Sequence, residues 1–343
     1  MPLPRTLPRI VVAGAGLIGR RHAELVRQSP ECELAAVVDP APAAASDHDS
    51  IGECFAAEGT DGVGVIVAAP NRLHVPIALE CVERGVPVLV EKPIADTVED
   101  AQRLVDAAEE AGVPLLVGHH RRYSPLLEAA ARTVAAGTLG RVVAVQGSAL
   151  FSKPDDYFDA APWRREPGGG PILINMVHEV DDLRAVCGEI LAVQAMAANG
   201  TRGHAVEDTV AVVLRFASGA LGTFLLSDTA AAPFSWELTS AENAAYPHQP
   251  DADCYVIAGT RGSLRVPTMR LTTYPGAPSW WEPFEAAVVE VEDADPLARQ
   301  LAHFCDVIRG AAPRVTGRDA VETLRVTLAI AEACRTGELV EIS

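Results

Sequence analysis

The sequence of 343 residues lacks a long apolar run, and its cysteines form no close pairs. No stretch approaches the roughly 18 apolar residues that span a bilayer, and the N-terminus carries no charged segment followed by an apolar one. The seven cysteines are scattered and never form a CxxC pair, which argues against a disulfide framework or a zinc site. We therefore expect a cytoplasmic protein with reduced thiols and no metal.

Basic residues are scarce compared with acidic ones. The chain has 46 Asp and Glu against 28 Lys and Arg, for a formal net charge of -18. Such a charge repels phosphate backbones and anionic lipids, so we expect neither a nucleic-acid nor a membrane partner. Hydrophobic residues make up 49% of the chain and charged residues 22%, which is ordinary for a globular protein. The length is enough for about two domains.

Lysine is rarer than arginine. Only two of the 28 basic residues are lysines, Lys92 and Lys153. Lysine can release its proton or act as a compact point charge, whereas a guanidinium group cannot. One interpretation is that lysine is kept where arginine cannot serve. The other is a codon bias that leaves two lysines by chance. Both precede a proline, which places them in extended or turn backbone.

The first third of the chain alternates apolar runs with helical segments. Runs that are apolar throughout are typical of parallel strands buried on both faces. The pattern predicts an α/β class domain over residues 1–122, with a doubly wound parallel sheet that binds a dinucleotide. The predicted strands span residues 9–14, 33–39, 63–69, 86–91 and 114–118.

The pattern changes after residue 123. Strand-like runs fill residues 190–292, including a predicted hairpin at 216–219, and helices are few among them. We predict a second, α+β domain over residues 123–343, which is built around a mainly antiparallel sheet and binds the substrate. Its last helices can pack back towards the first domain. The predicted helices are 124–136, 172–187, 296–310 and 318–336.

The sequence GAGLIG joins the first strand to the first helix. Glycines at this place allow a tight turn and a close approach of backbone N–H groups to a pyrophosphate. Asp39 lies at the end of the second strand, where its carboxylate can accept hydrogen bonds from both ribose hydroxyls. The alternative is a generic strand–turn–helix. The predicted loop contacts are Gly14, Gly16, Leu17, Ile18 and Gly19.

The residues after Asp39 bear on the choice of cofactor. Pro40 and Ala41 follow it, so no arginine is immediately placed to pair with a 2′-phosphate. We therefore predict NAD rather than NADP.

Lys92 follows the fourth predicted strand, and ligands of such sheets bind outside the carboxyl ends of the strands. Beside a nicotinamide, its ammonium group can hydrogen-bond a substrate hydroxyl and help to remove its proton. Glu91 can orient that ammonium group. The alternative is a solvated charge at the end of a strand.

The predicted helix 172–187 carries a polar stripe. Asn175, His178 and Asp182 fall on one face, opposite a set of apolar residues. A histidine in this position can serve as a general acid or base. Asp181, three residues after His178, can alternatively orient the imidazole. The other interpretation is a solvated or capping histidine.

Two polar segments are candidates for contact with ligands. Residues 119–123 (HHRRY) follow the fifth strand and either line a cleft or neutralise nearby acidic charge. Tyr157, Trp163 and Arg164 precede three consecutive glycines and either form a lid over the cofactor or serve packing. The expected substrate contacts are His119, Arg122, Tyr123 and Tyr157.

Taken in order, these motifs resemble those of the Gfo/Idh/MocA family, which includes glucose-fructose oxidoreductase and inositol dehydrogenases. The resemblance covers essentially the full length, and EKP at 91–93 is its most specific part. It rests on GAGLIG at 14–19, Asp39, APNRLH at 69–74, EKP at 91–93, RRYSP at 121–125, WR at 163–164 and GGG…H…D at 168–181.

This resemblance implies NAD(P)-linked oxidation of a secondary alcohol on a sugar, cyclitol or related polyol. Lys92 and His178 correspond to the family's catalytic lysine and histidine. The second domain of the family has a sheet with one open face, which is often buried in homodimers or homotetramers. The implied cofactor contacts are Pro70, Asn71, His74, Glu91, Lys92, Trp163 and Arg164.

One position departs from the family pattern. Inositol-dehydrogenase-like members commonly place an aspartate four residues before the histidine, and Ile174 stands there. Asn175 comes next but cannot act as a base, so it can only support His178. Two other functions stay open, namely glycoside cleavage or isomerisation through transient redox chemistry, and dinucleotide-dependent sensing. The presence of Lys92 and His178 favours a dehydrogenase over a sensor.

Overall fold

The structure is a computed structural model that describes residues 7–41 and 45–342. The strands are Arg9–Ala13 (β1), Glu33–Val38 (β2), Val63–Val67 (β3), Val88–Val90 (β4), Leu115–Val117 (β5), Val142–Leu150 (β6), Ile190–Ala198 (β7), Thr209–Phe216 (β8), Leu221–Ser227 (β9), Tyr255–Gly259 (β10), Gly262–Val266 (β11), Arg270–Thr273 (β12), Glu285–Val288 (β13) and Val340–Glu341 (β14).

The α-helices are Leu17–Gln28 (α1), Ile51–Glu58 (α2), His74–Glu83 (α3), Val98–Ala111 (α4), Pro125–Ala135 (α5), Asp155–Asp159 (α6), Val177–Cys187 (α7), Trp236–Thr239 (α8), Pro296–Ile308 (α9) and Gly317–Thr336 (α10). Short 3₁₀-helices span Asn71–Leu73, His120–Tyr123 and Pro162–Arg165. The chain forms two compact units. One comprises the residues up to His120 together with Leu297–Leu324, and the other comprises Arg121–Pro296 and the residues from Arg325 onwards.

The first unit is built on a parallel sheet with the strand order β2-β1-β3-β4-β5. All residues of β3 are buried, as expected for a strand that is covered on both faces. α4 begins after Thr97, whose Oγ1 accepts a hydrogen bond of 3.1 Å from the backbone N–H of Asp100. That hydrogen bond satisfies one of the backbone donors that every helix leaves unpaired at its N-terminus.

The late segment Leu297–Leu324 completes this unit. A Cβ at Gly64 of β3 would collide with Ile308 of α9, so this glycine lets the helix lie close against the sheet. The backbone N–H of Val117 donates to the carbonyl of Val315 at 3.0 Å, which extends the edge of the sheet beside β5.

The second unit contains a sheet with the order β13-β12-β11-β10-β6-β9-β8-β7-β14. The pair β6–β9 is parallel, and the other neighbouring strands of this sheet pair antiparallel. Burial alternates along β8, so one face packs on a hydrophobic core and the other is open. On the central strands β6 to β9, the large apolar side chains that are exposed are Val143, Leu191, Met196, Val213, Leu221 and Leu225.

The predicted fold class is confirmed, with a Rossmann-like parallel sheet first and a mainly antiparallel sheet after it. The predicted single α-helix over residues 172–187 is wrong in its first part. Ile172–Met176 form a π-helix, and α7 begins at Val177. The reason is that apolar spacing distinguishes poorly between i→i+4 and i→i+5 hydrogen bonding, since both keep the apolar side chains on one side.

Candidate functional site

The loop between β1 and α1 has the shape of a phosphate cradle. Gly14 has a φ of +111°, and a Cβ there would collide with the carbonyl of Ala68. A Cβ at Gly19 would collide with the carbonyl oxygen of Gly14, so both glycines are required by close packing. At Gly16, by contrast, no atom of the described residues lies within 4 Å of the Cβ position, apart from those of the glycine and its two chain neighbours. This open space is where a pyrophosphate would approach the backbone.

The N-terminus of α1 completes the cradle. Gly16 caps the helix without a side chain, and its first turn contains no acidic residue, so its backbone N–H groups are suited to an anion. Leu17 is 75% exposed, which is unusual for leucine and leaves an apolar surface beside the loop. The residues that are present therefore fit a dinucleotide.

Asp39 is held beside this loop. Its Oδ2 accepts a hydrogen bond of 2.7 Å from the backbone N–H of Ala15, and its Oδ1 accepts one of 2.9 Å from Ala41. Each carboxylate oxygen has a second lone pair, so the group can also accept hydrogen bonds from ribose hydroxyls.

His74 belongs to the family motif at 69–74 but is buried. Its Nδ1 lies 2.8 Å from the carbonyl oxygen of Pro93, and its Nε2 lies 2.8 Å from that of Ala69. Burial lowers the pKa of this imidazole. The ring thus ties the start of α3 to the turn after β4, while Pro70 and Asn71 are more exposed. Direct contact between His74 and a cofactor stays a prediction.

Lys92 directly follows Glu91 at the end of β4, as the motif predicts. Glu91 is buried, and its Oε1 lies 2.7 Å from Nε2 of His22 on α1. Its Oε2 accepts a hydrogen bond of 3.3 Å from the backbone N–H of Lys92. Although burial raises it, the pKa of Glu91 is lowered to about 2 because His22 bonds and attracts the carboxylate. Glu91 therefore supports the backbone of Lys92, and His22 is a partner that the sequence analysis missed.

In the second unit, His178 lies in the first turn of α7 and is buried. Asn175 lies three residues earlier in the π-helix, and its Oδ1 accepts a hydrogen bond of 2.7 Å from Nζ of Lys153. Asp181 accepts one of 2.8 Å from Nε of Arg122. The orienting role of Asp181 towards His178 stays a prediction.

A buried charged cluster packs around Arg121. Nη1 of Arg121 donates to Glu179 Oε1 at 2.8 Å and to Asp182 Oδ2 at 2.9 Å, and Nη2 donates to Glu237 Oε1 at 2.7 Å. The hydroxyl of Tyr255 lies within hydrogen-bond distance of Glu179 and of Asp182. A phenol has one proton, so it can donate to only one of these carboxyl groups at a time.

Hydrogen counting therefore requires a proton on Glu179 or Asp182 if both bonds to Tyr255 are made. The pKa of Asp182 is raised to about 8, chiefly by burial and also by the charges of Glu179 and Asp181, against the opposing effect of Arg121. Burial also raises the pKa of Glu179. Sequence analysis missed Glu179, Glu237 and Tyr255, which carry no motif and lie far apart in the chain.

The predicted lid segment forms a local stack. The guanidinium of Arg164 lies 3.8 Å from the ring centroid of Tyr157 and 5.8 Å from that of Trp163. Nη1 of Arg164 also donates to the carbonyl oxygen of Tyr157 at 2.5 Å. Trp163 is 48% exposed, whereas His119 and Tyr123, two of the other predicted ligand contacts, are buried.

Two models of protein families match the chain. The "Oxidoreductase family, NAD-binding Rossmann fold" model matches residues 8–119, and the "GFO/IDH/MocA C-terminal domain" model matches residues 127–265. The 1,5-anhydro-D-fructose reductase of Ensifer adhaerens is 32% identical over 283 residues, which cover 81% of this chain and 79% of that protein. The chain belongs to the GFO/IDH/MocA oxidoreductase family.

Other members of the GFO/IDH/MocA family match at nearly full length. The scyllo-inositol 2-dehydrogenase (NAD+) of Bacillus subtilis strain 168 is 26% identical, with 97% of this chain and 96% of that protein covered. The WlbA dehydrogenase of Bordetella pertussis, solved with NADH and UDP-GlcNAcA, shares the fold with a TM-score of 0.78. It is 24% identical over 98% of this chain and 99% of its own.

These findings confirm the predicted family, the NAD-binding first domain and the assignment to the oxidoreductases. No helix within residues 7–41 and 45–342 is both long and apolar enough to cross a membrane. In the same ranges, no cluster of three or more His, Cys, Asp and Glu side chains is arranged to hold a metal ion.

Proposed function

We propose that the chain is an NAD-dependent dehydrogenase that acts on a secondary alcohol of a sugar, cyclitol or related polyol. The observation that carries this proposal lies in the first unit. Lys92 follows β4 at the same carboxyl edge of the parallel sheet that bears the glycine loop after β1, and β3 alone separates the two strands. A proton-transfer group thus accompanies a dinucleotide cradle in one sheet.

In this proposal the bound NAD supplies the hydride acceptor. Lys92 and His178 bind the reacting hydroxyl, and one of the two takes its proton while the hydride of the C–H bond would pass to the nicotinamide. The same residue returns the proton in the reverse reaction. Glu91 and His22 hold the backbone of Lys92. The N–H groups of the glycine loop bind the pyrophosphate, and Asp39 accepts hydrogen bonds from the ribose. Residues 1–122 bind the cofactor, and residues 123–343 bind the substrate.

NAD is the proposed cofactor rather than NADP. The carboxylate of Asp39 would repel a 2′-phosphate, and Pro40 and Ala41 offer that phosphate no charge. Titration of each dinucleotide against the intrinsic fluorescence tests this proposal. We expect NAD to bind at least about tenfold more tightly, a difference of about 1.4 kcal/mol. Asp39→Ala should reduce that ratio, and equal dissociation constants in the unchanged protein would contradict the preference.

The remaining proposals concern assembly and location. We propose a homodimer or homotetramer formed through the open sheet face, since six large apolar side chains of β6 to β9 are exposed. All seven cysteines lie in the described ranges and are free thiols, which supports a reducing, cytoplasmic location.

The first experiment measures NADH formation from NAD with myo-inositol, scyllo-inositol, D-xylose, D-apiose and sugar acids. A substrate-dependent rise in absorbance supports a dehydrogenase. A flat trace with demonstrable NAD binding would contradict net oxidation and favour transient redox chemistry or sensing. Product analysis by NMR would then separate those two functions.

A further inference from the structure

Lys153 is held firmly in the second unit. Its Nζ donates to Asn175 Oδ1 at 2.7 Å and lies 3.5 Å from the carboxylate of Asp228. The backbone N–H of Lys153 donates to the carbonyl oxygen of Asp228 at 2.8 Å. The carbonyl oxygen of Lys153 accepts a hydrogen bond of 2.7 Å from Nη2 of Arg202. The ammonium group also lies 5.0 Å from the ring centroid of Tyr157. Both ends of the lysine are therefore fixed in place.

This contact determines how the carboxamide of Asn175 is turned. An ammonium group has three protons and no lone pair, so it can only donate hydrogen bonds. Asn175 must direct its oxygen to Lys153, and its Nδ2 group consequently points the other way. Within the described part of the chain, Nδ2 donates no hydrogen bond. The Nδ2 group therefore offers two N–H donors to a ligand on the side away from Lys153.

Asn175 precedes His178 by three residues, near the end of the π-helix that leads directly into α7. The oriented carboxamide therefore lies on the same short segment as the histidine that is proposed to bind the reacting hydroxyl. Building on the proposed dehydrogenase function, we propose that Lys153 and Asn175 form a specificity element, in which Asn175 Nδ2 donates a hydrogen bond to an acceptor oxygen of the substrate. That oxygen is a hydroxyl, ring or carboxylate oxygen near the hydroxyl that reacts. Lys153 is the positioning residue, because it acts through Asn175.

Asn175→Asp tests the donor directly, because it keeps the oxygen that faces Lys153 and replaces Nδ2 with a second acceptor. With the most active polyol of the panel and saturating NAD, we expect KM to rise about tenfold or more, the usual scale for an unmatched hydrogen-bond partner. We expect kcat to change much less, because the contact holds the substrate before and during the reaction alike.

A double-mutant cycle tests the positioning role. Lys153→Met alone should raise KM several-fold, because the carboxamide can then turn its oxygen towards the substrate. In an Asn175→Ala background the same change should have no further effect. A lysine that only neutralises Asp228 would give the same penalty in both backgrounds, and that result would overturn the positioning role.

Asn243→Asp provides the matched control, since it makes the same chemical change at an exposed position of the same unit. Its KM should equal that of the unchanged enzyme, and thermal unfolding of each variant checks that the fold is intact. If the unchanged enzyme turns over no polyol, the proposed function fails and this inference fails with it. If it turns over a polyol but Asn175→Asp leaves KM unaltered, the inference alone fails.

Discussion

His22 and Glu91 share a buried hydrogen bond of 2.7 Å although 69 positions separate them in the chain. His22 lies on α1, the helix that begins at the glycine loop, and Glu91 precedes Lys92 at the end of β4. The contact therefore couples the helix that carries the dinucleotide cradle to the residue proposed to transfer a proton. It also places a charged carboxylate in the interior of the first unit.

This carboxylate should make the first unit sensitive to acid. The pKa of Glu91 is about 2 in the folded protein and about 4.5 ordinarily, so the folded state binds fewer protons between these values. Its contribution to the free energy of unfolding is complete above pH 4.5 and is lost as the pH falls towards 2. The size of this contribution is about 3 kcal/mol.

Comparison with Glu91→Gln measures this contribution. We expect the unchanged protein to be more stable than the variant at pH 7 in urea unfolding, and the difference to shrink as the pH falls below about 4.5. Glu99→Gln, at an exposed position in the first turn of α4, is the control and should show no such convergence. A stability difference that is constant over this pH range would show that the carboxylate of Glu91 does not titrate as described.

The cluster around Arg121 should have the opposite pH dependence. The pKa of Asp182 is about 8 in the folded protein, above its ordinary value of 3.8, because the group is buried beside Glu179 and Asp181. The folded state therefore holds more protons between these values, and stability falls as the pH rises from about 4 to about 8. We expect the loss to be a few kcal/mol.

Asp182→Asn removes the titrating group while keeping its size. The decline in the free energy of unfolding between pH 5 and pH 8 should be clearly smaller in this variant than in the unchanged protein. Asp156→Asn, at an exposed position, is the matched control and should keep the full decline. If the free energy of unfolding declined equally with pH in all three proteins, a group other than Asp182 would be responsible for the decline.

The fold and the cofactor loop could be predicted because their signals are local. Strands buried on both faces need consecutive apolar residues. The passage from β1 into α1 needs Gly14 and Gly19, because any side chain at either position would collide with the backbone. These requirements are met by neighbouring residues, so they can be read from short stretches of sequence.

The partners of the site residues could not be predicted, because they are contacts between distant segments. His22 has no motif that points to Glu91, and Tyr255 has none that points to Asp182. The π-helix is a different case, since its pattern of apolar residues also suits an α-helix. The contact of Asn175 with Lys153 likewise joins separate segments, 22 positions apart.

Lys92 and His178 should both be needed for turnover. Lys92→Met and His178→Asn should each lower kcat by about 10²-fold or more, the usual scale for a positioned acid or base. NAD should still bind to both variants, because the glycine loop and Asp39, which are proposed to hold the pyrophosphate and the ribose, are unchanged. Arg103→Met, which removes an exposed charge on α4, is the control and should retain full activity. Unchanged turnover in Lys92→Met would refute its catalytic role.

The open sheet face should carry the contact between subunits. Val213 and Leu225 are 49% and 43% exposed at neighbouring strands of this face, and an aspartate at either position would place a charge in an apolar interface. We expect Val213→Asp and Leu225→Asp to lower the molar mass measured by light scattering after gel filtration. Thr138→Asp adds the same charge at an exposed position in the turn after α5, outside the strands, and should leave the mass unchanged. A monomeric unchanged protein, or an oligomer that survives both substitutions, would assign the open face another role.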